Sequence, residues 1–225
     1  MEKKIFIITG ANRGLGKAFV DVLIKNEHNF IISISRSMSD VQKKYSSKRF
    51  CFLKIDLSKE GLGQKINILR DLINDQSICF INNASIVGPI EKIENLDEIA
   101  IDYMMSVNIK STILIMKNLL QNFNKNTLSF VNMSSGAANR AISNWSLYCS
   151  SKSFIQMFFN VAESEYTQHQ FFNIDPGVMD TDMQKKLRNS DFPDVENFKK
   201  LEEEGQLKSP IEVAEEILRT INSEK

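Results

Sequence analysis

Tyr148 and Lys152 lie four residues apart in Tyr148-Cys149-Ser150-Ser151-Lys152. On a helix that spacing puts both side chains on one face. A free phenol has a pKa of about 10 and shuttles protons poorly at neutral pH. An ammonium ~4 Å away, at an effective dielectric of ~20, would favour the phenolate by about 4 kcal/mol, or roughly three pKa units. The pair therefore has the makings of an acid/base. A pattern this short also arises by chance as a surface pair. Ser135, thirteen residues upstream, offers a hydroxyl that could hold a carbonyl oxygen while the phenol protonates it. The plainer use of Ser134-Ser135 is to cap a turn or helix. Asn108 interrupts an apolar helical pattern over 104–115, where its amide either satisfies itself or binds a water in a proton chain.

A second group of residues suits phosphate. Thr9-Gly10-Ala11-Asn12-Arg13-Gly14-Leu15-Gly16 has GxxxGxG spacing and joins an apolar run to a helical pattern. Glycines allow a tight turn and close approach of backbone to a pyrophosphate, and the helix N-terminus supplies free N–H groups. An acid about twenty residues further on would favour NAD. Here that stretch is Ser35-Arg36-Ser37, with no carboxylate before Asp40. Arg36, twenty residues after Gly16, and Arg13 in the loop could bind a 2′-phosphate with their planar donors, so NADP(H) is the expected cofactor. Thr181, in Asp175-Pro176-Gly177-Val178-Met179-Asp180-Thr181, could bond a nicotinamide amide. As bare local structure, that stretch is a turn leading into a helix.

The elements that must carry these residues alternate along the chain. Apolar strand patterns occupy 4–9, 30–35, 49–55, 77–81, 127–133 and 171–174. Helical spacing occupies 14–26, 62–73, 96–121, 145–168, 181–187 and 210–221. This alternation predicts an α/β fold: a doubly wound parallel sheet with helices on both faces, three layers in all. No repeat or linker divides the chain, so one domain over 1–225 is expected. In such sheets ligands sit beyond the carboxyl ends of the strands, where the residues above fall.

Composition excludes several classes. The 225 residues are 42% hydrophobic, with 28 basic and 28 acidic residues and no net charge, which argues against nucleic-acid binding. No apolar run approaches the ~20 residues of a membrane span. The start, Met1-Glu2-Lys3-Lys4 before Ile5–Ile8, has too short an apolar core for a signal peptide, and a cytoplasmic location is expected. Cys51, Cys79 and Cys149 form no CxxC and read as reduced thiols. With only His28 and His169, neither a histidine zinc site nor a Ser-His-Asp triad is expected, and no metal.

Taken together, TGxxxGxG at Thr9–Gly16, Asp56-Leu57, Asn82-Asn83-Ala84, Asn108, Ser135, Tyr148 with Lys152, and PGxxxT from Pro176 to Thr181 resemble the short-chain dehydrogenase/reductase family over nearly the whole chain. The resemblance implies a Rossmann fold and an Asn–Ser–Tyr–Lys tetrad. In that scheme Tyr148 is the acid/base and Ser135 polarises the carbonyl. Lys152 lowers the tyrosine pKa and bonds the ribose, and Asn108 holds a relay water. Cofactor contacts would come from Gly10, Asn12, Arg13, Gly14, Leu15, Gly16, Arg36, Asp56 at the adenine, Leu57, Asn82, Asn83, Ala84, Tyr148, Lys152, Pro176, Gly177, Val178 and Thr181. Ser135, Trp145, Tyr148 and Met179 would meet the substrate, with Leu147 and Met183 extending an apolar wall.

Finer detail, including SSGAA from Ser134 and WxxYCSSK from Trp145, resembles the bacterial sepiapterin-reductase-like branch that includes benzil reductases. That implies NADPH-dependent reduction of a ketone or vicinal diketone. Rivals are a 3-oxoacyl carrier-protein reductase, an NAD-linked alcohol dehydrogenase, and, in another class, a non-catalytic NADP-binding regulator. Two departures stand out. Ser85 replaces the glycine of the family's NNAG, and no seventh strand follows the last helical pattern, which leaves open whether the protein forms a homodimer or larger homo-oligomer. The charged segment 184–207 is expected to be mobile and is a lid candidate, the alternative being a solvated helix.

Overall fold

The computed structural model describes residues 3–74 and 76–223, so Met1-Glu2 of the N-terminal stretch and Glu224-Lys225 at the other end lie outside the described residues. The strands are β1 (Lys4–Thr9), β2 (Asn29–Ser35), β3 (Phe50–Lys54), β4 (Ser77–Asn82), β5 (Leu128–Met133) and β6 (Gln170–Ile174). They form one sheet in the order β3-β2-β1-β4-β5-β6, with every neighbouring pair parallel. The chain builds outward from β1 to β3, then crosses back to lay β4 on the other side of β1. The order reverses between β1 and β4, and there the loops leave in opposite directions and open a crevice over the strand ends. Among the described residues no seventh strand joins the sheet after β6.

Both faces of the sheet are covered, which is why its strands read as unbroken apolar runs. Ile5 and Ile7 of β1 point into one core, with Phe80, Phe130 and Phe171 from neighbouring strands and residues such as Ile115, Leu119, Ile155 and Phe159 of the covering helices. Phe6 and Ile8 point into the other, against Phe19 of helix Gly14–Leu23 and Ile217 of helix Pro210–Ser223. A third apolar cluster, around Trp145, Tyr148, Leu187 and Phe192, lies over the site rather than under the sheet.

Two expectations need correction. The stretch 62–73 is not one helix. It breaks into Leu62–Lys65, a 3-10 turn Ile66–Ile68, and Leu69–Leu72. Gly63 and the β-branched Ile66 and Ile68 weaken helix here, and burial of Leu62, Ile66 and Leu69 holds the segment instead. Second, Glu98–Asn122 is long and apolar enough to cross a membrane by length and composition, although no such run was expected. It packs on the sheet, with Ile109, Ile115, Met116 and Leu119 in the core. Of the two alternatives for 184–207, the helix is present: Val195–Glu203, packed on helix Asp182–Arg188. Arg188 ties the two by an ion pair to Glu202 at 2.6 Å.

Candidate active site

All six strands deliver residues to one edge of the sheet. Gly10 follows β1, Arg36 follows β2, Asp56 lies beyond β3, Asn83 and Ala84 follow β4, Ser134 and Ser135 follow β5, and Asp175 to Gly177 follow β6. The crevice has about 1190 Å³ of empty space, counting its open mouth, which exceeds a typical small-ligand pocket.

Its floor is the glycine loop. Gly10 has a φ of +66°, which favours glycine, and a Cβ there would sit 3.0 Å from the Ala84 backbone. A Cβ on Gly16 would lie 2.4 Å from the Gly10 carbonyl oxygen, so the loop closes on itself through a position that admits no side chain. The loop is pinned from both flanks. Ala11 N–H donates to Ser35 Oγ at 2.9 Å, and Asn83 Nδ2 donates to the Thr9 carbonyl at 2.9 Å. No side chain caps helix Gly14–Leu23, which leaves its first N–H groups open to an anion.

Arg13, Arg36 and Asp56 stand toward the crevice mouth. Arg13 pairs with Asp182 at 3.5 Å and Arg36 donates to Tyr103 Oη at 3.4 Å, long contacts at exposed positions. Asp56 accepts from the Ser58 hydroxyl at 2.7 Å. Partial burial would raise its carboxyl, but Ser58 hydrogen bonds and the charges of Arg36 and Lys59 hold it below its ordinary value.

At the inner end, helix Ser146–Glu165 carries Tyr148 and Lys152 into the crevice as a shared face. Both are buried. Lys152 Nζ donates to the Met133 carbonyl at 2.7 Å and lies 5.7 Å from the Tyr148 ring centre. Burial draws the ammonium down to about 8, against the pull of Asp175. Burial pushes the phenol up to about 12, opposed by the Ser135 hydroxyl and, less strongly, that of Ser85, while Asp175 and Cys149 push it further up. The expectation that Lys152 lowers the phenol to working pH is not met in the protein alone. Desolvation outweighs an ammonium that is turned toward a backbone carbonyl. Ser135 Oγ accepts from Ala137 N–H at 3.2 Å, so the serine does cap the short turn Gly136–Ala138, and its own hydrogen remains available.

A chain whose crevice combines this loop, this buried pair and this strand order matches the model of the short chain dehydrogenase family over residues 4–191. The chain is a short-chain dehydrogenase. It is 35% identical to benzil reductase ((S)-benzoin forming) of Bacillus subtilis, over 96% of this chain and 92% of the relative. It is 26% identical to sepiapterin reductase of Bos taurus, over 99% and 91%. A crystal structure of a short chain dehydrogenase/reductase from Saccharomyces cerevisiae superposes with a TM-score of 0.84 at 27% identity, over 93% of this chain and 86% of that one.

As a short-chain dehydrogenase the protein is an oxidoreductase that takes a nicotinamide cofactor and acts on carbonyl or alcohol groups of small molecules. The crevice fits such a group: its floor is a glycine cradle that a Cβ would fill, below an uncapped helix N-terminus. Most residues expected at the short-chain dehydrogenase site do line it, including Asn12, Leu15, Leu57, Pro176, Met179 and Thr181. Gly16, Asn82, Asn108, Ser135, Trp145, Gly177 and Val178 are not among its lining residues.

Asn82 and Asn108 are used differently from expectation. Asn82 Nδ2 donates to Asn132 Oδ1 at 3.1 Å while its oxygen accepts from Thr112, in a polar ladder across the strands. Asn82→Ala is expected to lower stability by about 2 kcal/mol by leaving Thr112 and Asn132 short of partners, with cofactor affinity unchanged; denaturant unfolding and a cofactor titration check both. The Asn108 amide clamps Ile86, accepting from its N–H and donating to its carbonyl, both at 2.9 Å, and donates to Ser151 Oγ at 3.1 Å. Its side chain thus bonds protein groups on the loop after β4 and on helix Ser146–Glu165. Trp145, 3% exposed, backs the Tyr148 ring at 5.6 Å and is itself covered by Phe192 and Phe198 at 5.4 and 5.6 Å. The two phenylalanines lie in the charged segment, where only aromatic residues among acids and lysines signalled a packed face.

Proposed function

We propose that the chain is a cytoplasmic, single-domain, NADPH-dependent carbonyl reductase that converts one carbonyl of an aromatic vicinal diketone to an alcohol. The observation that carries the reading is the buried Tyr148, faced by the Ser135 hydroxyl and sharing its helix face with Lys152, at the inner end of a dinucleotide-sized crevice. The similarity to benzil reductase supports the diketone. Gly10, Gly14, Gly16 and the helix N-terminus behind them would hold the pyrophosphate, Arg13 and Arg36 the 2′-phosphate, Asp56 and Leu57 the adenine end, and Pro176 and Thr181 the nicotinamide end. When bound, the reduced cofactor supplies the hydride. Ser135 holds the carbonyl oxygen, and Tyr148, kept protonated by burial well above neutral pH, donates its proton to that oxygen. Lys152, with its pKa drawn to about 8, is suited to return a proton to the resulting phenolate. Met179 and Met183 supply the apolar wall, with Trp145 packed behind the Tyr148 ring.

The arginines carry the cofactor preference, because each holds only a weak contact that a phosphate would replace. Absorbance assays with NADPH and NADH on benzil are expected to show turnover favouring NADPH. Arg36→Ala should narrow the preference about tenfold, the worth of one charge-assisted hydrogen bond. Equal wild-type rates with both cofactors would end the NADP reading, and reduction of simple aldehydes without benzil would end the diketone reading.

A further inference from the structure

Ser85 has no part in these steps, yet it occupies the position of the family motif's glycine, and its buried hydroxyl makes no hydrogen bond of ordinary geometry among the described residues, the Tyr148 phenol being the group it acts on. Its backbone is held on both sides. Asn83 and Ala84 donate their N–H groups to Thr9 Oγ1 at 3.1 and 3.0 Å, and Ile86 is clamped by Asn108. Asn108 also donates to Ser151, whose hydroxyl donates to the Tyr148 carbonyl at 2.9 Å. One amide thus ties the turn bearing Ser85 to the helix bearing Tyr148. Both residues line the same crevice, and the Ser85 hydroxyl faces the phenol.

A buried hydroxyl without a hydrogen bond of ordinary geometry destabilises the fold and calls for an explanation. Proton transfer supplies one. As Tyr148 gives its proton to the substrate oxygen, the phenol oxygen becomes an anion in a desolvated place, with Lys152 turned toward Met133. The Ser135 hydrogen serves the substrate carbonyl. We propose that Ser85 is a positioning residue for Tyr148, whose hydroxyl turns onto the phenolate oxygen as the proton leaves. Ser85 keeps its own proton throughout. The contact is weak to the neutral phenol and strong to the anion, so it favours the transition state over the ground state. The proposal rests on Tyr148 being the proton donor.

Ser85→Ala and Ser85→Gly remove the hydroxyl, and Ser85→Thr keeps it. In benzoin oxidation with NADP+ the phenolate is the active form, so kcat/KM rises with pH. Losing a donor to the anion raises the phenol pKa, and the rise should move up by about one pH unit in Ser85→Ala and Ser85→Gly. At pH 7 that is about a tenfold loss of oxidation rate. Ser85→Thr should stay near wild type. A second readout needs no turnover: phenol absorbance titrated with NADP+ bound, with Tyr148 isolated by subtracting the Tyr148→Phe form of each protein. It should show the same rise, with NADP+ affinity unchanged. An unmoved phenol titration overturns the proposal, as does weakened NADP+ binding with an unmoved pH profile, which would give the hydroxyl to the cofactor. A shifted titration in a protein that turns over no carbonyl would retire the reductase reading and keep Ser85's role. Turnover with an unmoved titration would do the reverse.

Discussion

Tyr148→Phe is expected to lower kcat for carbonyl reduction by about a thousandfold, within the range for loss of a general acid. The substitution removes one hydroxyl and leaves the ring, which packs edge-on against Trp145 at 5.6 Å. Folding stability should change by less than about 1 kcal/mol, because a desolvated hydroxyl contributes little net. Cofactor affinity should hold, since the glycine loop and arginines are untouched. Stopped-flow or steady-state assays with a fluorescence titration of NADPH separate these effects. A variant that kept more than a tenth of kcat would remove Tyr148 from the chemistry. A variant that lost cofactor binding as well would assign the phenol to the cofactor rather than to the proton.

Gly16→Ala should damage the site from the opposite end. The added methyl would lie 2.4 Å from the Gly10 carbonyl oxygen and 2.5 Å from Asn83 Nδ2. The first of these is backbone, in a loop already pinned by Ser35 and Asn83, so no rotamer relieves the contact. Moving the loop displaces its N–H groups from the position a pyrophosphate needs. The expected result is about 3 kcal/mol lost from folding and about a hundredfold weaker NADPH binding. Thermal unfolding and calorimetric titration measure the two. Gly63→Ala, where nothing lies within 4 Å of the added carbon, is the control and should leave cofactor affinity unchanged. An intact NADPH affinity in Gly16→Ala would mean that the loop yields easily and is not the cofactor's floor.

The polar ladder through Asn82 shows where motif reading overreaches. Asn82, Asn83 and Ala84 are adjacent in sequence and alike in motif, yet Asn82 is the last residue of β4 and Asn83 already lies in the loop beyond it. Asn82 therefore bonds sideways to Asn132 and Thr112, while Asn83 turns to the glycine loop. Trp145 shows the converse. Its place three residues before Tyr148 marked it as a wall residue, but its depth behind the phenol is set by Phe192 and Phe198 from a distant segment.

The linear sequence by itself determined the alternation of strands and helices, the glycine loop after β1, the absence of an acid after β2, and the shared helix face of Tyr148 and Lys152. These depend on periodicity, turn chemistry and spacing within a few residues, which are local properties. Only the tertiary structure decided the electrostatic state of the pair and the company it keeps. The high phenol, the lowered ammonium, the carbonyl of Met133 under Lys152 and the buried hydroxyl of Ser85 all arise where separate strand ends and helices converge. Desolvation is the physical reason: it depends on how completely distant parts of the chain exclude water from one point, and no local spacing records that.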